Sequence, residues 1–138
     1  MRVLIVGSGG VGESTAAIAS RRDPHGELFE TMVMADHDLA RAQAASSRLG
    51  DAKRFPAEQV DASNVNAVVA LCKKYDAEML CSFLPVEFNP FTLQAALEAR
   101  VHHMDASTTL SVPHPTDPSA TVSVREEPPV RSPLLPSY

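Results

Sequence analysis

A cluster of four glycines near the N-terminus is the first feature of this sequence that could do chemistry. Residues 7–12 have the pattern Gly-x-Gly-x-x-Gly and directly follow an apolar run, Val3–Val6. Where such a pattern ends a strand and begins a helix, the glycines let the backbone approach a pyrophosphate closely. The free N–H groups and partial positive charge of the helix N-terminus then bind the phosphates. The sequence therefore predicts a dinucleotide-binding loop made of Gly7, Ser8, Gly9, Gly10, Val11 and Gly12.

An acidic residue, Asp36, follows the second apolar run, Met32–Ala35. A carboxylate at the end of a second strand hydrogen-bonds the ribose hydroxyls of NAD and repels the 2′-phosphate of NADP. Alternatively, Asp36 merely begins the turn before a helix capped by Asp38. Arg41, one turn into that helix, is a cation that could bind a 2′-phosphate. The sequence thus favours NAD as the cofactor and leaves NADP open.

Two further loops are predicted to border the dinucleotide, each at the end of a later strand. Asp61 and Ala62 end the third predicted strand, where the adenine would lie, although Asp61 could instead be a helix N-cap. The segment Ser82, Phe83, Leu84 and Pro85 follows the fourth predicted strand, and its backbone is predicted to line the path toward the nicotinamide. A plain strand-to-helix loop is the alternative for this segment.

Histidines and cysteines form no metal-binding pattern in this sequence, and no catalytic residue is predicted. His102 and His103 are adjacent on a predicted strand, so their side chains point to opposite faces and cannot serve one site. We expect one of them to be buried and the other to be covered by a helix. Asp105 is a ligand candidate only through its place at the end of that strand. Cys72 and Cys81 are predicted to be buried, reduced thiols.

The elements that must position these residues alternate between strands and helices. Strands are predicted over residues 2–6, 31–35, 57–60, 79–83 and 101–104. Asp38 is expected to cap the second helix and Gly50 to end it, while Asp61 or Ser63 caps the third. The order βαβαβαβαβ predicts an α/β fold with a doubly wound, Rossmann-type parallel sheet of strand order 3-2-1-4-5.

Apolar residues at helical spacing predict which helix faces pack on this sheet. Val11, Thr15 and Ile18 have the spacing of one face of the first helix. The third helix has Val65, Val68, Val69 and Cys72 on one face. The inner face of the fourth helix is predicted to consist of Phe91, Leu93, Ala96 and Leu97.

Proline divides the chain into two parts. Residues 1–112 are predicted to form the dinucleotide-binding domain, a common domain size. Residues 113–138 contain seven of the eleven prolines. We expect this tail to be disordered, because proline removes ladder donors and few apolar residues offset the ordering entropy.

Charge and composition exclude several classes of protein. The chain has 12 Lys and Arg against 17 Asp and Glu, a formal net charge of −5. Nucleic-acid binding needs clustered cations, so we expect no nucleic-acid partner. Apolar runs are too short for a membrane span or a signal peptide, so we expect a cytoplasmic protein.

In these segments the chain resembles the saccharopine dehydrogenase-like oxidoreductases, specifically their N-terminal nucleotide-binding domain. The resemblance is carried by residues 3–12, 34–36, 60–63, 82–85 and 88–90, and continues through 101–105, 110–111 and 113–115. It implies a protein that uses NAD(P) to oxidise or reduce a carbon–nitrogen bond of an amino acid or polyamine. It also implies a second, substrate-binding domain that holds most of the catalytic side chains.

The last 20 residues resemble no part of that family, and the chain ends before a second domain could form. We therefore expect a truncated product that is inactive alone, marginally stable or self-associating. One alternative is a regulatory dinucleotide-sensing module of the potassium-transport type. The long segment 23–30 and the loop 82–85 speak against that alternative. A non-functional fragment is the third hypothesis.

Overall fold

The computed structural model describes residues 1–106, which form a five-stranded parallel sheet with helices on both faces. The strands are β1 (Arg2–Val6), β2 (Thr31–Asp36), β3 (Ala57–Gln59), β4 (Met79–Ser82) and β5 (His102–Asp105). The helices are α1 (Gly10–Arg22), α2 (Leu39–Leu49), α3 (Val65–Lys74) and α4 (Asn89–Ala99), and a 3-10 turn (Val86–Phe88) precedes α4. The strand order β3-β2-β1-β4-β5 confirms the predicted Rossmann-type fold. The predicted tail, 113–138, and its boundary at 112 lie outside the described residues.

The register of the sheet brings the carboxyl ends of its strands together. Val6 at the end of β1 pairs with Ala35 on one side and with Ser82 on the other. Ser82 in turn pairs with Asp105 at the end of β5. Loops that leave β1, β2 and β4 therefore begin at one edge of the sheet, which is where ligands bind in such folds.

The core consists of two apolar layers, because alternate residues of a strand point to opposite faces of the sheet. One layer joins Leu4 and Val33 of the sheet to α3 and α4. The other joins Ile5 and Met34 to α1 and α2. Near-continuous burial along β1 and β2 is typical of a parallel sheet covered on both faces.

The face of α1 that packs on the sheet is not the one that the apolar spacing predicts. Val11 and Ile18 are 58% and 45% exposed, while the buried residues are Gly12, Ala16 and Ala19. The buried set has the same helical spacing, displaced by one residue. Small side chains occupy it because they let the helix axis lie close to the sheet.

The predicted inner face of α4 is wrong for the same reason. Leu97 is 71% exposed and Phe91 is 39% exposed. The buried residues are Asn89, Thr92, Ala95 and Ala96. Of the predicted set only Ala96 lies fully in the interface.

Within residues 1–106, no helix is long and apolar enough to span a membrane.

The predicted caps of α2 are confirmed, and the predicted N-cap of α3 is wrong. The Asp38 carboxylate accepts a hydrogen bond from the Ala40 N–H at 2.9 Å, and Gly50 ends α2 with a φ of 85°. Asn64, rather than Asp61 or Ser63, caps α3 by accepting from the Ala67 N–H at 3.1 Å. The asparagine lies next to the first helical residue, so its oxygen reaches the free N–H groups directly.

The two histidines of β5 are placed differently from the expectation, because β5 is an edge strand. His102 is exposed rather than buried. His103 is partly buried beneath α4, and its Nε2 lies 3.2 Å from the Thr92 hydroxyl. Burial lowers the pKa of His103, and the nearby Asp105 opposes that shift.

Both cysteines are free and buried, as predicted. Burial raises the pKa of the Cys72 thiol and of the Cys81 thiol to about 11. Since the thiolate is the reactive form of cysteine, both side chains act as small apolar groups near neutral pH.

The segment between α1 and β2 is held by one carboxylate and one guanidinium. Asp23 accepts hydrogen bonds from the N–H groups of Phe29 at 2.8 Å and of Glu27 at 2.9 Å. Arg54 donates through Nη2 to Asp23 Oδ2 at 3.2 Å and through Nε to the Phe29 carbonyl at 3.1 Å. These contacts join the segment to the residues that precede β3.

Asp23→Asn is expected to lower the melting temperature at pH 7 by several degrees. Hydrogen bonds, the one from the Phe29 N–H first, hold the pKa of Asp23 below its ordinary value. A lowered folded-state pKa stabilises the fold above the unfolded pKa, and this stabilisation is lost as pH falls through the folded pKa. Thermal melts from pH 7 downward should therefore show the variant and the wild type converging in acid. Glu27→Gln removes a carboxylate from the same segment and should change little. A pH-independent difference would contradict the prediction.

Candidate functional site

A pocket of about 530 Å³ opens at the carboxyl ends of β1, β2 and β4. It lies where the strand order reverses beside β1, the position at which open α/β sheets bind ligands. Its lining residues are Val6, Gly7, Gly9, Asp36, His37, Arg41, Val60, Asp61, Ala62, Phe83, Leu84, Pro85 and Phe88.

At two positions of the loop after β1, only glycine fits, because other backbone atoms lie where a Cβ would be. Gly7 has a φ of +98°, and a Cβ there would lie 2.6 Å from the Phe83 carbonyl oxygen. A Cβ on Gly12 would overlap the Gly7 carbonyl oxygen, so α1 begins directly against the loop. These two positions shape the turn and the helix contact, as the sequence pattern predicts.

Gly9 has a different environment, because no heavy atom lies within 4 Å of the place where a Cβ would be. It lines the pocket and precedes α1, whose first N–H groups have no partner within the helix. This open space leaves the backbone of the loop and the N-terminus of α1 accessible to a phosphate group. The loop therefore suits the pyrophosphate of a dinucleotide.

Asp36 lies inside the wall of the pocket, with only 3% of its side chain exposed. Its Oδ2 accepts the Ser8 N–H at 3.0 Å, and its Oδ1 accepts the Asp38 N–H at 3.1 Å. His37 Nδ1 lies 3.0 Å and Arg41 Nη1 3.6 Å from Oδ1. Both carboxylate oxygens are thus already bonded to the protein.

Asp61 lies at the same end of the pocket and is exposed. Its Oδ1 accepts the Ser63 hydroxyl at 2.7 Å and the Ser63 N–H at 2.9 Å. The Ser63 hydroxyl first, and then the Ser63 N–H, hold the pKa of Asp61 below its usual value, and His37 adds a smaller effect. This end of the pocket therefore carries two carboxylates, one guanidinium and one imidazole.

The opposite end of the pocket is apolar. It is formed by Phe83, Leu84 and Pro85 after β4, and by Phe88 in the 3-10 turn before α4. The Phe83 N–H donates to the Val6 carbonyl at 2.9 Å, which fixes the loop to β1. A ligand with one polar end and one flat, weakly polar ring fits such an arrangement.

Eight of the predicted site residues line the pocket: Gly7, Gly9, Asp36, Asp61, Ala62, Phe83, Leu84 and Pro85. Five do not: Ser8, Gly10, Val11, Gly12 and Ser82. Ser8 and Ser82 are each 1% exposed and lie behind the wall, while Val11 faces outward. Asp105 and the histidines of β5 do not line it either.

Four residues that line the pocket were not predicted as site residues. Arg41, which also lines it, was predicted only as a possible binder of a 2′-phosphate. The missed residues are Val6, His37, Val60 and Phe88. Val6, His37 and Val60 are direct sequence neighbours of predicted ones, so a wider window would have found them. Phe88 belongs to the segment 88–90 that carries the family resemblance, and this was the sequence signal that could have found it.

Comparison with known proteins agrees with this geometry. Residues 3–131 match the family model described as the saccharopine dehydrogenase NADP binding domain. No curated protein sequence matches the chain. Saccharopine dehydrogenase (L-Glu forming) from Saccharomyces cerevisiae superposes with a TM-score of 0.65 at 20% identity, over 80% of this chain and 22% of that one.

Two other solved structures share the fold at lower similarity. UDP-glucose-4-epimerase from Stenotrophomonas maltophila, with bound NAD, has a TM-score of 0.55 at 19% identity, over 73% of this chain and 34% of that one. RSP, a Rex-family repressor, has a TM-score of 0.52 at 18% identity, over 81% and 48%. The chain thus spans less than half the length of each of these three proteins.

The fold, the glycine loop and the family match point in one direction. The structural similarity alone shows a Rossmann-type fold, because its identities are low. The family model covers residues 3–131 and so includes residues 119–131, which means that the expectation that the last 20 residues resemble no part of the family is wrong. The chain belongs to the saccharopine dehydrogenase family, as its NADP-binding domain.

Proposed function

We propose that the chain binds NAD(H) in this pocket and serves an oxidoreductase that transfers hydride at a carbon–nitrogen bond. The open space at Gly9, against the first turn of α1, is the observation that carries the proposal. Membership of the family supports a dinucleotide and the oxidoreductase class. The family model is described as NADP binding, so the preference for NAD rests on the pocket carboxylates Asp36 and Asp61 and not on the family.

The two ends of the pocket suggest how the ligand lies. The adenosine half is proposed to lie at the charged end, beside Asp36 and Asp61. The nicotinamide half would then lie against the apolar residues Phe83 to Pro85 and Phe88. This direction follows the general rule for sheets whose order reverses next to β1.

The described residues bind and orient rather than transfer protons. A bound nicotinamide cofactor supplies the hydride donor or acceptor. Phe83, Leu84 and Phe88 would exclude water from its ring, which strengthens electrostatic interactions there. Within residues 1–106, no titratable side chain lines the apolar end of the pocket. We propose an amino acid or polyamine as substrate, held by groups other than these.

A dinucleotide-sensing regulatory module is the second candidate. The apolar end of the pocket favours it: of the residues up to 106, none that lines this end is an acid or base, and such a site can bind a ligand without reacting. The family match favours the oxidoreductase. Sustained turnover by the chain would identify the oxidoreductase, because only that candidate converts substrate. An inactive chain agrees with both candidates, because the catalytic side chains of the oxidoreductase are expected in a second domain.

The test begins with calorimetric titration of the purified chain with NAD and NADH. Absorbance of the reduced nicotinamide is then followed after adding saccharopine or related amino acids. Saturable binding is expected and would support the dinucleotide site. If neither NAD nor NADH binds, the proposed function is overturned.

The wild-type chain is expected to bind NAD about tenfold more tightly than NADP, a difference of about 1.4 kcal/mol. Two carboxylates and one guanidinium surround the proposed ribose position, so a 2′-phosphate meets net repulsion. Arg41→Ala should widen this preference by removing the cation, while Asp36→Ser should narrow it. Affinities of both cofactors for each variant give the ratio. A wild-type preference for NADP would show that Arg41 governs the site.

A further inference from the structure

We propose that Asp36 is a positioning residue that locks the glycine loop to the turn before α2 and preforms the pyrophosphate cradle. This inference rests on the proposed function and adds a second role for Asp36. The first role concerns the ribose and the choice between NAD and NADP. The second concerns the conformation of a loop that the ribose does not touch.

The geometry of the two carboxylate oxygens supports this role. Oδ2 bonds the N–H of Ser8, the residue directly before Gly9, at 3.0 Å. Oδ1 bonds the N–H of Asp38, the N-cap of α2, at 3.1 Å. One side chain therefore joins two loops that are far apart in sequence. Hydrogen bonds from N–H groups to an ionised carboxylate are stronger than those to a neutral acceptor.

Burial makes the connection rigid. Asp36 is 3% exposed and Ser8 is 1% exposed. The cations around the carboxylate are Arg41, at 3.6 Å, and His37 when protonated, at 3.0 Å. They offset part of the cost of burying a charge. The nearest other acidic groups of the turn and pocket are Asp38 and Asp61, which have their own donors in Ala40 and Ser63.

A second connection holds the loop from the other side of the strand end. The Ser8 hydroxyl donates to the Ala35 carbonyl at 3.1 Å, and the Gly7 N–H donates to the same oxygen at 2.8 Å. Loss of Asp36 therefore frees the Ser8 amide without releasing the loop from β2. The expected result is a loosened cradle in a folded protein.

Two roles of the carboxylate predict opposite effects on pyrophosphate binding. A negative charge near the loop repels an anion, so charge alone predicts tighter pyrophosphate binding in Asp36→Asn. A positioning role predicts weaker binding, because the amide cannot accept from both Ser8 and Asp38 through charged oxygens. Asp61→Asn is the matched control, since it removes a pocket carboxylate that has no bond to the glycine loop.

The experiment measures inorganic pyrophosphate binding to the full chain by phosphorus NMR or calorimetry. We expect Asp36→Asn to weaken it by about tenfold or more, as for loss of a charge-assisted hydrogen bond, and Asp61→Asn to tighten it, because a repelling charge leaves the pocket. Asp36→Glu keeps the charge and displaces the oxygens, so it should also weaken binding. It serves as the second variant if Asp36→Asn does not fold.

A spectroscopic readout separates positioning from general destabilisation. The Ser8 amide proton should exchange slowly with solvent in the wild type and in Asp61→Asn, and faster in Asp36→Asn. Equal or tighter pyrophosphate binding in the folded Asp36 variants overturns the positioning role. If the wild type still binds NAD in that case, the proposed function stands. A wild type that binds neither NAD nor pyrophosphate overturns both.

Discussion

Replacing Gly9 with valine is expected to weaken NAD binding by at least about 100-fold, or about 2.8 kcal/mol. The melting temperature should stay nearly unchanged. Gly9 has a φ of −75°, which any residue adopts, and no heavy atom lies within 4 Å of its missing Cβ. A valine side chain would therefore enter the pocket without disturbing the fold, and it would occupy the space proposed for the pyrophosphate.

Calorimetric titration of NAD, with a thermal melt of the same sample, measures both quantities. Gly9→Ala should give a smaller loss, because only one carbon enters the pocket. Gly10→Val is the matched control, since Gly10 also has open space around it but does not line the pocket. Unchanged affinity in Gly9→Val would remove the assignment of this loop as the pyrophosphate site.

Gly12→Ala is expected to cost about 2–4 kcal/mol of stability and to lower the melting temperature by about 10 °C or more. The added Cβ would overlap the Gly7 carbonyl oxygen and approach Ile5 Cγ2 to 3.2 Å. The overlapped atom is backbone at the tightest point of the loop. The whole start of α1 must therefore move away from the sheet to accept the methyl group.

Gly10→Ala provides the stability control for this prediction. It places the same methyl group on the first residue of α1, where nothing lies within 4 Å. Reduced freedom of the unfolded chain should stabilise this variant by about 0.4–1 kcal/mol. Urea unfolding of the three proteins measures the difference. Equal stability of Gly12→Ala and Gly10→Ala would contradict the close packing of α1 on the loop.

The order of strands and helices was predictable because local chemistry marks most of the elements, although not every boundary. Apolar runs that end in glycine or a turn mark β1 and β2, and Asp38 with Gly50 mark the ends of α2. Alternation of strands and helices then leaves few topologies, since crossovers between parallel strands are right-handed. These features depend on residues close in sequence, so no tertiary information was needed.

Apolar spacing predicted the inner face of α3 correctly, since Val68, Val69 and Cys72 are buried, but it did not predict the inner faces of α1 and α4. Val11 and Gly12 begin two equally periodic sets one residue apart in α1. The larger side chains predict the wrong set, because the contact distance between helix and sheet decides which set is buried. Only the assembled sheet, with α1 starting against the Gly7 carbonyl, selects the small residues.

For the site, local sequence patterns were enough to locate the glycine loop, the acidic end of β2 and the loop after β4. Each is a short motif fixed by its own residues. Packing of the strands and helices sets which of these residues face the pocket and which other residues line it with them. Strand alternation and loop packing put the Ser82 side chain behind the wall, and the turn before α4 brought Phe88 over the pocket. The bond from Ser8 to Asp36 also exists only because β1 and β2 are neighbours, since pairing of distant segments is what sets side-chain partners.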